Sequence, residues 1–191
     1  MQGWLFKLIK ALAFIHKMNN LSDADFEDYY ENKHAPLASS LLTLEGYERN
    51  YVNSELNPLY ASLGSISIFQ YQSIQSLEIV GNEMSSSAGD ILREDELKFM
   101  NVQKNYHVLT ESNQLTKSKF KKKIFYPFKN DEDLNLLDAY KGLEKVSDNL
   151  LLEPNEIIGI SEYGITQEIS LEILENLSTD HPRAIITTCI N

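Results

Sequence analysis

Cysteine is almost absent: Cys189 is the single one in 191 residues. It has no internal partner for a disulfide, so the composition suits a reducing compartment and we expect a cytoplasmic protein. Positive charge is also scarce, with 17 Lys and Arg against 28 Asp and Glu and a net charge of −11. That deficit argues against nucleic acid as a partner, because phosphate contact needs clustered Lys and Arg. Histidines are few and scattered, and no Cys/His spacing marks a structural metal site. A phosphate-cradling Gly-rich loop and a serine nucleophile elbow are both missing, which speaks against nucleotide-binding, hydrolase and metalloenzyme readings. Long apolar runs are missing too. Residues 4–15 are hydrophobic, but Lys7 and Lys10 interrupt them and the stretch is too short to span a bilayer. We read it as a first strand and expect no membrane partner.

What the chain does have is an ordinary globular composition, 42% hydrophobic and 24% charged. Ser22 is a good helix N-cap, and Asp25 three residues on resembles a capping box. The first helix should run from there to about Leu44 and kink or restart at Pro36, which cannot donate to the carbonyl of Asn32. Phe26, Tyr30, Leu37 and Leu41 share one face of it, with His34 at the margin. Residues 47–52 and 65–72 read as strands, 74–82 and 93–100 as helical pieces, and 105–111 as a strand. The order β-α-β-β-α-β is that of an α+β, ferredoxin-like half, complete within residues 1–111.

Residues 112–118 are polar and read as a linker. The pattern then begins again, more faintly, over residues 119–191. It gives a strand at 122–128, a helix at 134–146, a strand at 156–165, a short helix at 171–177 and a closing strand at 184–190. This second half shows one strand where the first shows two. Within it the basic cluster Lys117 to Lys123 alternates with Phe120 and Ile124, as in an exposed edge strand that uses lysine to block pairing, the alternative being an anion site. A four-stranded sheet with helices on one face must bury its other face. Two such halves packed sheet to sheet make an α+β barrel with a cavity between them. The covering sheet comes either from residues 119–191, giving a pseudo-dimeric monomer, or from a second chain in a homodimer.

The run Leu21-Ser22, Phe26, Tyr29-Tyr30 and His34-Ala35-Pro36-Leu37, followed by Gly46-Tyr47 and Asn50-Tyr51-Val52, resembles the EthD family of the dimeric α+β barrel superfamily. Asp95 and Phe99 match the acidic residue and phenylalanine that the family carries ahead of its last strand. The resemblance covers about residues 5–111. It implies a mostly apolar pocket for a small, often aromatic molecule, with few polar groups and no cofactor or bound metal. EthD-like proteins include an accessory protein of fuel-ether degradation and relatives of polyketide-tailoring enzymes and lactone isomerases. The wider superfamily includes cofactor-free monooxygenases. The chain departs from the family pattern on its third strand, where Ser67 or Gln70 stands in place of an acidic residue, so no carboxylate partner for His34 is placed.

His34 is the candidate acid/base, because its ordinary pKa near ~6.5 lies close to neutrality. The alternative is a helix-surface histidine bonded to a carbonyl freed by Pro36. Tyr30 is a candidate to hold a substrate oxygen, although aromatics at helical spacing are more often core. Tyr47, Arg49 and Tyr51 share one strand parity. If that parity lines the cavity, Arg49 and Tyr51 bind the substrate and Arg49 is its only cation; otherwise Arg49 is a surface charge. Tyr71 and His107 lie on strands of one sheet and could meet across the cavity; the alternative is that His107 is an exposed edge residue. The expected function is a metal-free small-molecule enzyme acting on an apolar or aromatic oxygenated substrate by proton transfer, as an isomerase, dehydratase or decarboxylase. The alternatives are a non-catalytic binding or accessory protein and a cofactor-free oxidoreductase.

Overall fold

The structure is a computed structural model, and it describes residues 8–112, 119–154, 156–166 and 169–190. The first half runs β1 (Leu8–His16), α1 (Asp23–Tyr29), a π-helical turn (Tyr30–His34), α2 (Ala35–Leu41), β2 (Gly46–Val52), β3 (Leu63–Tyr71), α3 (Ile74–Met84), α4 (Ser87–Glu96) and β4 (Tyr106–Ser112). The second half contributes β5 (Lys122–Phe128), β6 (Leu143–Leu151), β7 (Gly159–Ile165), α5 (Leu171–Asp180) and β8 (Ile185–Ile190). The eight strands close into one barrel in the order β1-β3-β2-β8-β5-β7-β6-β4. Within it β4-β1-β3-β2 is the ferredoxin-like order, and β8-β5-β7-β6 repeats it. The halves are sealed by antiparallel pairing of β2 with β8 and of β4 with β6, so no sheet edge is left open. One chain therefore supplies both sheets, and no second chain is needed to cover either.

Three expectations are corrected. Residues 134–146 are not a helix: successive turns with i to i+3 bonds (Leu136 N to Asp133 O, Tyr140 N to Leu137 O) precede β6, the strand missed from the sequence. The spacing of Leu134, Leu137 and Tyr140 imitates a helical face, but the Leu134 carbonyl goes to Lys145 Nζ (2.9 Å). Gly142, at a φ of 92°, turns the chain into β6 in a conformation that favours glycine. The basic cluster does not block an edge, since β5 lies between β7 and β8 and Lys123 is fully buried inside the barrel. The linker expected at residues 112–118 lies, from 113 on, outside the described residues.

The third correction concerns the cavity. The barrel interior is filled, not hollow. Leu12, Phe14, Ile66, Ile68, Phe125 and Ile160 form its apolar part. Beside them Lys123 bonds Glu48 and Glu162 (2.6 Å to the latter), and Lys10 lies 3.8 Å from Glu162. The parity that carries Lys10, Glu48 and Lys123 faces inward, and the other parity faces the helices. An open space remains on the outer side of the first sheet, beneath α2, α3 and α4.

Candidate functional site

The wide turn before Pro36 sets the site. Ser22 caps α1, accepting from the Asp25 amide at 3.0 Å and donating to its carboxylate at 2.6 Å. The Ala35 amide reaches back to the carbonyl of Tyr30, five residues away, instead of the usual four. Pro36 has no amide hydrogen and its ring needs room, so one extra residue in the turn lets α2 restart. An inserted residue rotates everything after it by about 100° around the helix axis. His34 is the last residue of this widened turn and lies in the interior, not at the margin of the face, at 5% exposed.

His34 Nδ1 lies 3.0 Å from Oδ2 of Asp95 on α4. The carboxylate partner that the third strand does not supply comes from a helix. Asp95 also accepts from the Tyr29 hydroxyl (2.8 Å) and from Lys98 (3.3 Å). Burial pushes the Asp95 carboxyl up, but hydrogen bonds from Tyr29, His34 and Lys98 together hold it below the usual range. Burial pushes the His34 imidazole down, more than Asp95 raises it. An ionised carboxylate only accepts, so Nδ1 of neutral His34 donates and Nε2 is left as an acceptor toward the cavity. Phe99 packs against the imidazole with ring centroids 5.1 Å apart and against Phe26, Tyr29 and Tyr30.

The cavity has a volume of about 580 Å³, enough for a small ring system. Its walls are mainly apolar, with Ala13, Leu77, Val80, Met84 and Leu109 among them. The Tyr47 hydroxyl donates to that of Tyr30 (3.0 Å), which lies 2.9 Å from Ser67 Oγ. Burial raises the tyrosine pKa values here, that of Tyr71 to about 12, so these hydroxyls stay protonated at neutral pH. Of the residues expected from the sequence, His34, Tyr30, Tyr71 and His107 line this space, His107 at an exposed position.

Arg49 and Tyr51 are not among its lining residues. Arg49 makes a two-pronged pair with Glu31 (2.9 Å for both bonds), and the Tyr51 hydroxyl donates to the same carboxylate at 2.6 Å. The parity was the one that faces the helices, but Glu31 from the π-turn consumes the cation. Two acidic residues were missed as site residues. Asp95 shares a helix face with Phe99, and Glu96 lies in the stripe Leu92, Glu96, Met100; both are i, i+4 spacings legible in the sequence. Among the described residues no group of three or more His, Cys, Asp or Glu is placed to hold a metal ion, and no helix is long and apolar enough to cross a membrane.

Residues 19–103 match the EthD domain family, so the resemblance read from the sequence is borne out over that stretch. No curated protein matches the sequence. Among solved structures, a chlorite dismutase candidate, TA0507, is 8% identical, with 97% of this chain and 95% of that one aligned at a TM-score of 0.57. A chlorite dismutase variant from Candidatus Nitrospira defluvii, in complex with cyanide, is 10% identical over 96% of this chain and 91% of its own, at a TM-score of 0.51. These whole-chain matches establish the α+β barrel fold. An EthD family protein from Bacillus halodurans is 20% identical over 53% of this chain and 95% of its own, with a TM-score of 0.39.

Proposed function

With an EthD domain over residues 19–103 as its premise, we propose that the protein is a small-molecule enzyme that moves a proton on an apolar or aromatic, oxygen-bearing substrate. The observation that supports this most is the buried Asp95–His34 pair opening onto an apolar cavity. Asp95 holds the imidazole in one tautomer, and Nε2 takes a proton from a carbon or oxygen acid seated against Tyr71 and Leu109. The Tyr30 hydroxyl, which accepts from Tyr47, turns its own hydrogen to the substrate oxygen. An enolisation of this kind serves isomerisation or dehydration, and side chains alone carry it.

Deuterium exchange at the activated methylene of 2-tetralone, followed by NMR, tests the reading without knowledge of the natural substrate. The protein should accelerate exchange over buffer, and His34→Gln should lose about a hundredfold or more of that acceleration. Acceleration that survives in the variant, or none in the wild type, would sink the assignment. A non-catalytic binder would hold the ketone without exchange, and an oxidoreductase would consume oxygen with it.

A further inference from the structure

Among the described residues Glu96 is the one carboxylate that lines the cavity, and its surroundings give it little. It sits between Leu92 and Met100 on a single face of α4 and the turn after it, where the Met100 amide bonds the Glu96 carbonyl at 2.8 Å. That stripe is otherwise apolar. Among the described residues its carboxylate accepts no hydrogen bond, although the neighbouring Asp95 accepts from Tyr29, His34 and Lys98. Among the described residues no lysine or arginine lines the cavity. The nearby cation on the same helix, Arg93, is engaged with Asp90 (2.7 Å) and with the Met84 carbonyl (2.9 Å). Arg49 is committed to Glu31. Among the described residues the cavity thus offers a partly buried carboxylate, the His34 acceptor, His107 at its exposed side and hydroxyls, but no lysine or arginine to match an anion.

We infer that the cavity selects an apolar ring system bearing an N–H or O–H donor aimed at Glu96, and rejects ligands that carry their own carboxylate. This rests on the proposed placement of the substrate in the same cavity. The physical reason is that a carboxylate removed from water needs a donor to replace its lost hydration. A ligand hydroxyl or ammonium supplies one, and a ligand carboxylate adds a like charge at low dielectric. Burial raising the Glu96 carboxyl above its ordinary value, against Arg93, is consistent with a group short of donors.

Fluorescence titration at neutral pH with three probes that share one naphthalene ring system tests this: 2-naphthol, 2-naphthylmethylammonium and 2-naphthoate. The wild type should bind the naphthol and the ammonium at least about tenfold more tightly than the naphthoate. Glu96→Gln should bring naphthoate to within a few fold of naphthol and weaken the ammonium. Naphthoate binding as tightly as naphthol, or an order unchanged in the variant, would overturn this selectivity and leave the proton-transfer reading intact. Failure of all three probes to bind would overturn both. Glu96→Leu serves as a second variant, since it fits the apolar stripe and should shift the order the same way.

Discussion

Replacing Asp95 by asparagine keeps the side-chain shape and removes its charge, which isolates the electrostatic part of the site. In the wild type the carboxylate accepts from Nδ1 of His34 across 3.0 Å and from the Tyr29 hydroxyl across 2.8 Å. A hydrogen bond to a charged group contributes about 1.5–3 kcal/mol. At about 1.4 kcal/mol per factor of ten, the Nδ1–H tautomer should outnumber the other by roughly tenfold to a hundredfold. In the variant, the amide oxygen keeps Tyr29 and the NH2 turns to His34. Nδ1 must then accept, the proton moves to Nε2, and the cavity loses its acceptor. Long-range proton–nitrogen correlation spectra of histidine-labelled protein, taken above neutral pH and assigned with His34→Gln, report the tautomer directly. Urea unfolding should show a loss of about 1–3 kcal/mol as the charge-assisted bonds go. A wild-type His34 carrying its proton on Nε2, or a tautomer ratio unmoved in Asp95→Asn, would refute the account of the pair.

Further outcomes follow from the same contacts. Burial lowers the His34 value below the ordinary 6.5 of an unfolded chain. As pH falls the unfolded state takes the proton first, so the His34 contribution is full above that ordinary value and is lost as pH drops through the lower folded-state value; stability measured against pH should flatten in that window in His34→Gln. Arg49→Met should cost about 1–2 kcal/mol in urea unfolding by leaving Glu31 half-buried with only Tyr51, and a change of more than a few fold in naphthol affinity would contradict its placement outside the cavity. Lys123→Met strands Glu48 and Glu162 inside the barrel, so it should destabilise by about 3–5 kcal/mol at neutral pH, with a smaller deficit in acid, where the carboxylates protonate. A deficit independent of pH would argue against the buried ion cluster.

The strands with strong β propensity, 122–128 above all, were legible because their residues prefer extended backbone wherever they are placed. The Ser22 cap and the break at Pro36 were legible because both act within a few residues, through a side chain on the next turn and through a missing amide. The helix read at 134–146 failed for the complementary reason. Its periodicity is real, yet Gly142 turns the chain within that span, Lys145 takes the Leu134 carbonyl, and β6 starts at Leu143 because its ladder partners in β7 and β4 lie outside the span.

The sequence by itself determined the ferredoxin-like order of the first half, the helix that carries His34, and the family of residues 19–103. These rest on local spacing and on the chemistry of single residues. Only the tertiary structure decided which carboxylate His34 meets, that Arg49 is spent on Glu31, and that the open space lies outside the first sheet and not between the sheets. The first two depend on partners 61 and 18 residues away brought within bonding distance, and the third on strands as far apart in the chain as β2 and β8. The choice of strand parity settles on the whole barrel at once, because one face must fill the interior and the other is left for the helices.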